Sequence, residues 1–124
     1  MPRTLVTGAS GKVCCWTVGV LAEAGHDILA IDRVISKEAL PPGVKLWPVE
    51  LTDLSELYQF LAGADYVCHI AAIPNHSGFP EATTYQNNTI STSNFFQASV
   101  DSGLKKAVHT SSETVYGFIG GGSV

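Results

Sequence analysis

The stretch "RTLVTGASGK" sets the strongest constraint on the fold: a short apolar strand, a Gly-x-x-Gly turn, and a helical run behind it. After a strand ending at Thr7, Gly8 and Gly11 let the chain turn sharply with no side chain above the strand end. The first N–H groups of the following helix lack intrahelical partners and carry the positive end of the helix dipole. An anion suits that place, and a pyrophosphate is its natural occupant, with Ser10 adding a hydroxyl bond; a plain tight turn satisfies the same residues.

The rest of the chain repeats the alternation. Apolar strands are expected at 3–7, 28–32 and 45–49, then in "DYVCHIA" from 65 and "KAVHTSS" from 106. Helices are expected from about Gly11 to Ala24, Leu54 to Leu61 and Thr84 to Ser102, each followed by a glycine, at Gly25, Gly63 and Gly103. Asp53 is placed to cap the second helix, with Glu56 completing a capping box. In the first helix the spacing puts Val13, Thr17, Val20, Leu21 and Ala24 on the core, and leaves Lys12, Trp16, Gly19 and Glu23 outside. "SKEALPPGVK" reads as a loop and "GGGSV" as a disordered end.

Strand and helix in alternation imply an α/β fold with a parallel sheet, and near-continuous apolar strands imply burial on both faces. Right-handed crossovers give the strand order 3-2-1-4-5, with ligands bound where the order reverses, between the first and fourth strands. The organisation expected is one domain over residues 1–117 and a flexible glycine-rich tail over 118–124.

Asp32 stands at the end of the second strand, where a carboxylate can accept both hydroxyls of an adenosine ribose; the alternative is a solvated strand-end acid. Such an acid repels a 2′-phosphate and favours NAD over NADP, while Arg33 beside it is able to pair with that phosphate. The formal net charge is -4 with no basic cluster beyond Lys105 and Lys106, which argues against nucleic acid and anionic membrane as partners. With no signal segment and no bilayer-length apolar run, the expected compartment is the cytoplasm. Cys14, Cys15 and Cys68 form neither a disulfide framework nor a metal-ligand spacing and read as small apolar residues, and no metal site is expected. Two glycosylation patterns, at Asn75 and Asn87, read as chance.

The chain resembles the N-terminal part of the NAD-dependent epimerase/dehydratase family, the extended short-chain dehydrogenase/reductases, whose fold is a Rossmann-type doubly wound sheet. "TGASGKVC" follows the family's T-G-x-x-G-x-x-G up to the last place, where Cys14 stands for glycine. "VELTD" resembles its adenine segment, "HIAA" its H-x-A-A/G turn, "YQNNTISTSNFFQAS" its N-V-x-G-T-x-N-x-x-x-A helix, and "HTSSETVYG" its S-S-x-x-V-Y-G strand end. The resemblance implies that Gly8, Gly11, Lys12 and Val13 line the pyrophosphate and that Asp32 and Arg33 sit at the adenosine ribose. It places Glu50 and Leu51 at the adenine, with Glu50 one methylene longer than the usual Asp. Ala71 and Ala72 pass close to the cofactor, Asn88 orders the region around the nicotinamide ribose, and Ser112 matches the catalytic serine.

The family's proton-transferring tyrosine, with a lysine four residues on, has no counterpart in the sequence, and Tyr116 belongs to the strand-end motif. The fold is thus expected to be truncated before the sixth strand and the substrate domain. The implied function is the dinucleotide-binding part of an oxidoreductase acting on a sugar nucleotide or other alcohol, inactive as this chain; the alternative is a non-catalytic dinucleotide-binding regulatory module. Cys14 is expected to crowd the helix against the sheet modestly and to lower cofactor affinity. Phe95 and Phe96 on the long helix are expected to leave an apolar patch, and with it a possible homodimer.

Overall fold

A computed structural model describes residues 1–35, 40–73 and 78–112. Five parallel strands form one sheet: β1 (Arg3–Thr7), β2 (Asp27–Asp32), β3 (Leu46–Pro48), β4 (Tyr66–His69) and β5 (Lys106–His109). Their order is β3-β2-β1-β4-β5, so β1 lies at the centre and the direction of winding reverses between β1 and β4. Three helices connect them: α1 (Lys12–Glu23), α2 (Leu54–Leu61) and α3 (Glu81–Asp101).

Side chains alternate across the sheet and feed two cores. Leu5, Ile31 and Val67 join Leu57, Leu61, Phe95 and Ala98 of α2 and α3 on one face. Val6 and Ala30 join Ala9, Cys14 and Val18 on the other, under α1. This second layer stops short. Lys106 and Val108 of β5 are exposed on the α1 side, since α1 packs on β1 and β2, and Ala107, opposite Val67 on the other face, is exposed as well, against the expectation of strands buried on both faces.

Helix ends follow local chemistry. Gly25, Gly63 and Gly103 all adopt the left-handed conformation that closes the preceding helix. Asp53 caps α2, its Oδ1 accepting from the Ser55 and Glu56 amides at 2.9 and 3.4 Å. The reciprocal half of the capping box does not form. The Asp53 amide donates to the Glu50 carbonyl, and Glu56 reaches past it to accept from the Glu50 amide at 2.9 Å. Helix α3 begins at Glu81, three residues before the expected start, with Pro80 as its N-cap and the Pro80 carbonyl accepting from the Thr84 amide at 3.1 Å.

The core face of α1 also differs from the expected one. Cys14 and Val18 are buried, whereas Val13 and Val20 are exposed. The glycine turn fixes the phase of the helix at its first residue and points position 14 at the sheet, whatever the apolar spacing farther on. Trp16 is outside as expected, with 78% of its surface exposed, and forms a solvent-facing stripe with Val13 and Val20. Of the two phenylalanines on α3, Phe95 is buried and Phe96 is exposed. No described helix is long and apolar enough to cross a membrane.

Candidate dinucleotide-binding site

Gly8 is where the two walls of the crevice meet. Its φ is +71°, and a Cβ there would stand 2.7 Å from Ala71 Cα, so both the conformation and the space require glycine. A Cβ on Gly11 would meet the Gly8 carbonyl at 3.1 Å, and the Gly11 amide donates to that carbonyl at 2.8 Å. The turn is therefore tight and bare. Lys12 and Val13, at the start of α1, offer backbone N–H groups with no carbonyl four residues back to take them. Their side chains lie along the outer apolar groove of α1 with Trp16, so only their main chain serves the turn.

A threonine hydroxyl organises the opposite wall. Thr7 Oγ1 accepts from the Ile70 and Ala71 amides, both at 3.2 Å, and stands 2.9 Å from His69 Nδ1. Two N–H groups already donate to this oxygen, so its own proton goes to Nδ1; the ring proton then sits on Nε2, which faces Thr92 Oγ1 at 3.4 Å. The His69 ring stacks on Phe95 at 4.4 Å between centroids and lies beside His109 at 5.3 Å, the three rings forming one cluster. Burial, and then the neighbouring His109, push its pKa down to about 4. His69 thus reads as a neutral strut. Sequence reasoning had only the "HIAA" match here and missed Thr7 and Thr92, whose partners are far away in the chain.

Asp32 is engaged at both oxygens: Oδ2 accepts from the Ser10 amide at 2.8 Å and Oδ1 from the Val34 amide at 3.3 Å. A carboxylate has about four lone-pair sites, so each oxygen keeps capacity for another donor. The Ser10 hydroxyl donates to the Val34 carbonyl at 2.8 Å, tying the glycine turn to the chain leaving β2. Arg33 makes no ion pair with Asp32 among the described residues; its guanidinium lies over the Phe79 ring, 5.5 Å from the centroid.

Asp32, Arg33, Glu50, Leu51, Ala71 and Ala72 line one cleft, joined by Ile73, Asn87 and Ser91. The expected adenosine residues are therefore brought together, although the Glu50 carboxylate is occupied by Thr52, whose hydroxyl donates to it at 2.9 Å. Asn94, which sequence reasoning missed, donates to the Leu51 carbonyl at 3.0 Å and fixes that wall. Asn88 is a clamp on the main chain, accepting from the Ile73 amide at 2.8 Å and donating to the Ile73 carbonyl at 3.0 Å. Ser112 is exposed and lies beyond the carboxyl end of β5, outside this cleft. Tyr116, Asn75 and the tail from 118 fall outside the described residues.

Cys14 sits beneath the turn, buried with Val6, Ala9, Val18 and Ala30. Burial, and next the charge of Asp32, push its thiol up to about 11, so it stays protonated and acts as a small apolar side chain.

A sequence profile of the NAD dependent epimerase/dehydratase family matches residues 4–121. A 3-beta-hydroxysteroid dehydrogenase of Mycolicibacterium neoaurum is 34% identical over 91% of this chain and 32% of its own length. A solved UDP-galactose 4-epimerase superposes with a TM-score of 0.81 at 30% identity, over 93% of this chain and 40% of that one. The UDP-glucose 4-epimerase of Bifidobacterium longum, solved with NAD+ and UDP, gives 0.79 at 26% identity, over 93% and 38%. This sequence spans about a third of the length of the curated relatives it matches, at 32% for the first of them. With a parallel sheet in the order 3-2-1-4-5 and the glycine turn at its reversal point, the chain belongs to the NAD dependent epimerase/dehydratase family and holds the N-terminal, Rossmann-type part of that fold.

Proposed function

We propose that this chain is the NAD-binding part of an oxidoreductase. The observation that carries the reading is Asp32, fixed by two backbone N–H groups at the mouth of the cleft with an acceptor site left on each oxygen for the adenosine ribose hydroxyls. The bare turn at Gly8 and Gly11 fits a pyrophosphate held by the first N–H groups of α1. Leu51, Ala71 and Ala72 give the adenosine side apolar and small walls. NAD, when bound, supplies a hydride acceptor or donor. The chain's own residues bind and orient it: Gly8 by clearance, Asp32 by accepting, and Thr7 by holding the Ile70–Ala71 turn against the glycine loop.

Ser112 is assigned to the substrate hydroxyl or carbonyl on the strength of its motif. The sequence contains no tyrosine followed four residues later by lysine, so these 124 residues alone are expected to bind cofactor without turnover. The same observation favours the second reading, a dinucleotide-binding module without catalysis. The names of the relatives run from a steroid dehydrogenase to sugar-nucleotide epimerases, so the substrate is assigned only as an alcohol carbon or its carbonyl.

Calorimetric titration with NAD is the test. Saturable binding is expected, weakened at least about tenfold in Asp32→Ala, since a charge-assisted bond to each hydroxyl is lost. A folded chain that does not bind NAD, or an Asp32→Ala variant that binds it equally well, overturns the reading. Appearance of reduced nicotinamide with an alcohol substrate would rule against the non-catalytic module.

A further inference from the structure

Asp32 and Arg33 are neighbours with opposite demands on a dinucleotide, one accepting a 2′-hydroxyl and the other suited to a 2′-phosphate. Their contacts send them different ways. Asp32 turns toward the glycine loop and is held by the amides of Ser10 and Val34. Arg33 turns toward the segment that leads into α3, where its guanidinium lies 5.5 Å from the centre of the Phe79 ring. Ser10 reinforces the split from its side, because its hydroxyl bond to the Val34 carbonyl anchors the chain on the far side of Arg33.

We propose that Phe79 is a positioning residue for coenzyme choice: although Arg33 lines the cleft with Asp32, Phe79 holds its guanidinium on the ring, so that Asp32 meets the adenosine ribose while a 2′-phosphate is deprived of its cation. This rests on the reading of the cleft as an NAD site. Phe79 is 46 residues from Arg33 in sequence and lies outside the family motifs, so nothing in the motif pattern points to it. An exposed contact between a cation and an aromatic face corresponds to about two- to fivefold in an equilibrium.

The experiment is titration of the parent chain, Phe79→Leu, Arg33→Ala and the double variant with NAD and with NADP, each protein checked for folding by circular dichroism. Phe79→Leu is expected to tighten NADP by about two- to fivefold and to leave NAD nearly unchanged. In the Arg33→Ala background the same substitution is expected to do nothing to either cofactor. NADP affinity that is unchanged or weaker in Phe79→Leu, or that rises equally without Arg33, overturns the inference while saturable NAD binding by the parent preserves the site. Failure of the parent to bind NAD removes the site and this inference with it.

Discussion

Thr7 shows how much one hydroxyl can organise. It takes two amides of the chain leaving β4 and gives its proton to His69, which fixes the imidazole as a neutral, buried ring. Protonating Nδ1 would set an N–H against an oxygen already accepting two bonds. In the unfolded chain His69 takes a proton near its ordinary value of about 6.5; in the fold it does so only at about 4. Between these values the unfolded state binds more protons, so the stability this histidine allows is whole above about pH 6.5 and is lost as pH falls toward 4. The loss is expected to be on the order of 3 kcal/mol, read as the difference in pH slope between the parent and His69→Asn in urea unfolding. Equal slopes in the two proteins would contradict it. None of this was legible in the sequence, where "HIAA" marks the place but Thr7 lies 62 residues away. Gly8 and Asp32 were legible, because a bare turn and a strand-end acid are local demands that residue type reveals directly.

At the scale of elements, α1 carries the main misreading and also an opening for improvement. Its apolar residues repeat on two faces, so spacing alone could not choose which one meets the sheet. The turn before it chose, burying Cys14 and Val18 and exposing Val13, Trp16 and Val20. Strand positions and the three helix-closing glycines needed no such choice and were read correctly. Gly19, within α1, has nothing within 4 Å of where a Cβ would stand and has no left-handed backbone to protect. Gly19→Ala is therefore expected to stabilise the fold by about 0.5–1 kcal/mol, seen as a higher midpoint in thermal unfolding. A lower midpoint would mean that the outer face of α1 is in contact with something at that position.

The whole molecule is a sheet with unequal sides. β1 is paired on both edges and lies between two cores, whereas β5 is paired only with β4 and its residues from Lys106 to Val108 are exposed. Native-state hydrogen exchange is expected to be slowest in β1 and fastest, among the strands, in β5. Comparable protection in both would show the bare β5 covered in solution. The strand order was legible from the right-handed crossover rule, but the exposure of β5 was not, since strand composition does not say which layers lie above it.

The central position of β1 also bears on the order in which the protein is made. Arg3–Thr7 leaves the ribosome before the other strands of the sheet and finds β2 soon after, with Arg3 opposite Asp27 and Thr7 opposite Ile31. Its other edge waits for β4, where Thr4 meets Tyr66 and Thr7 meets His69. Throughout that interval the most deeply buried strand of the sheet has an open side, and the glycine turn lacks the Ile70–Ala71 wall it closes against. During synthesis, then, the binding crevice comes into being only with the arrival of the second half of its own sheet, and a nascent chain stalled before His69 would present an unpaired strand to its neighbours.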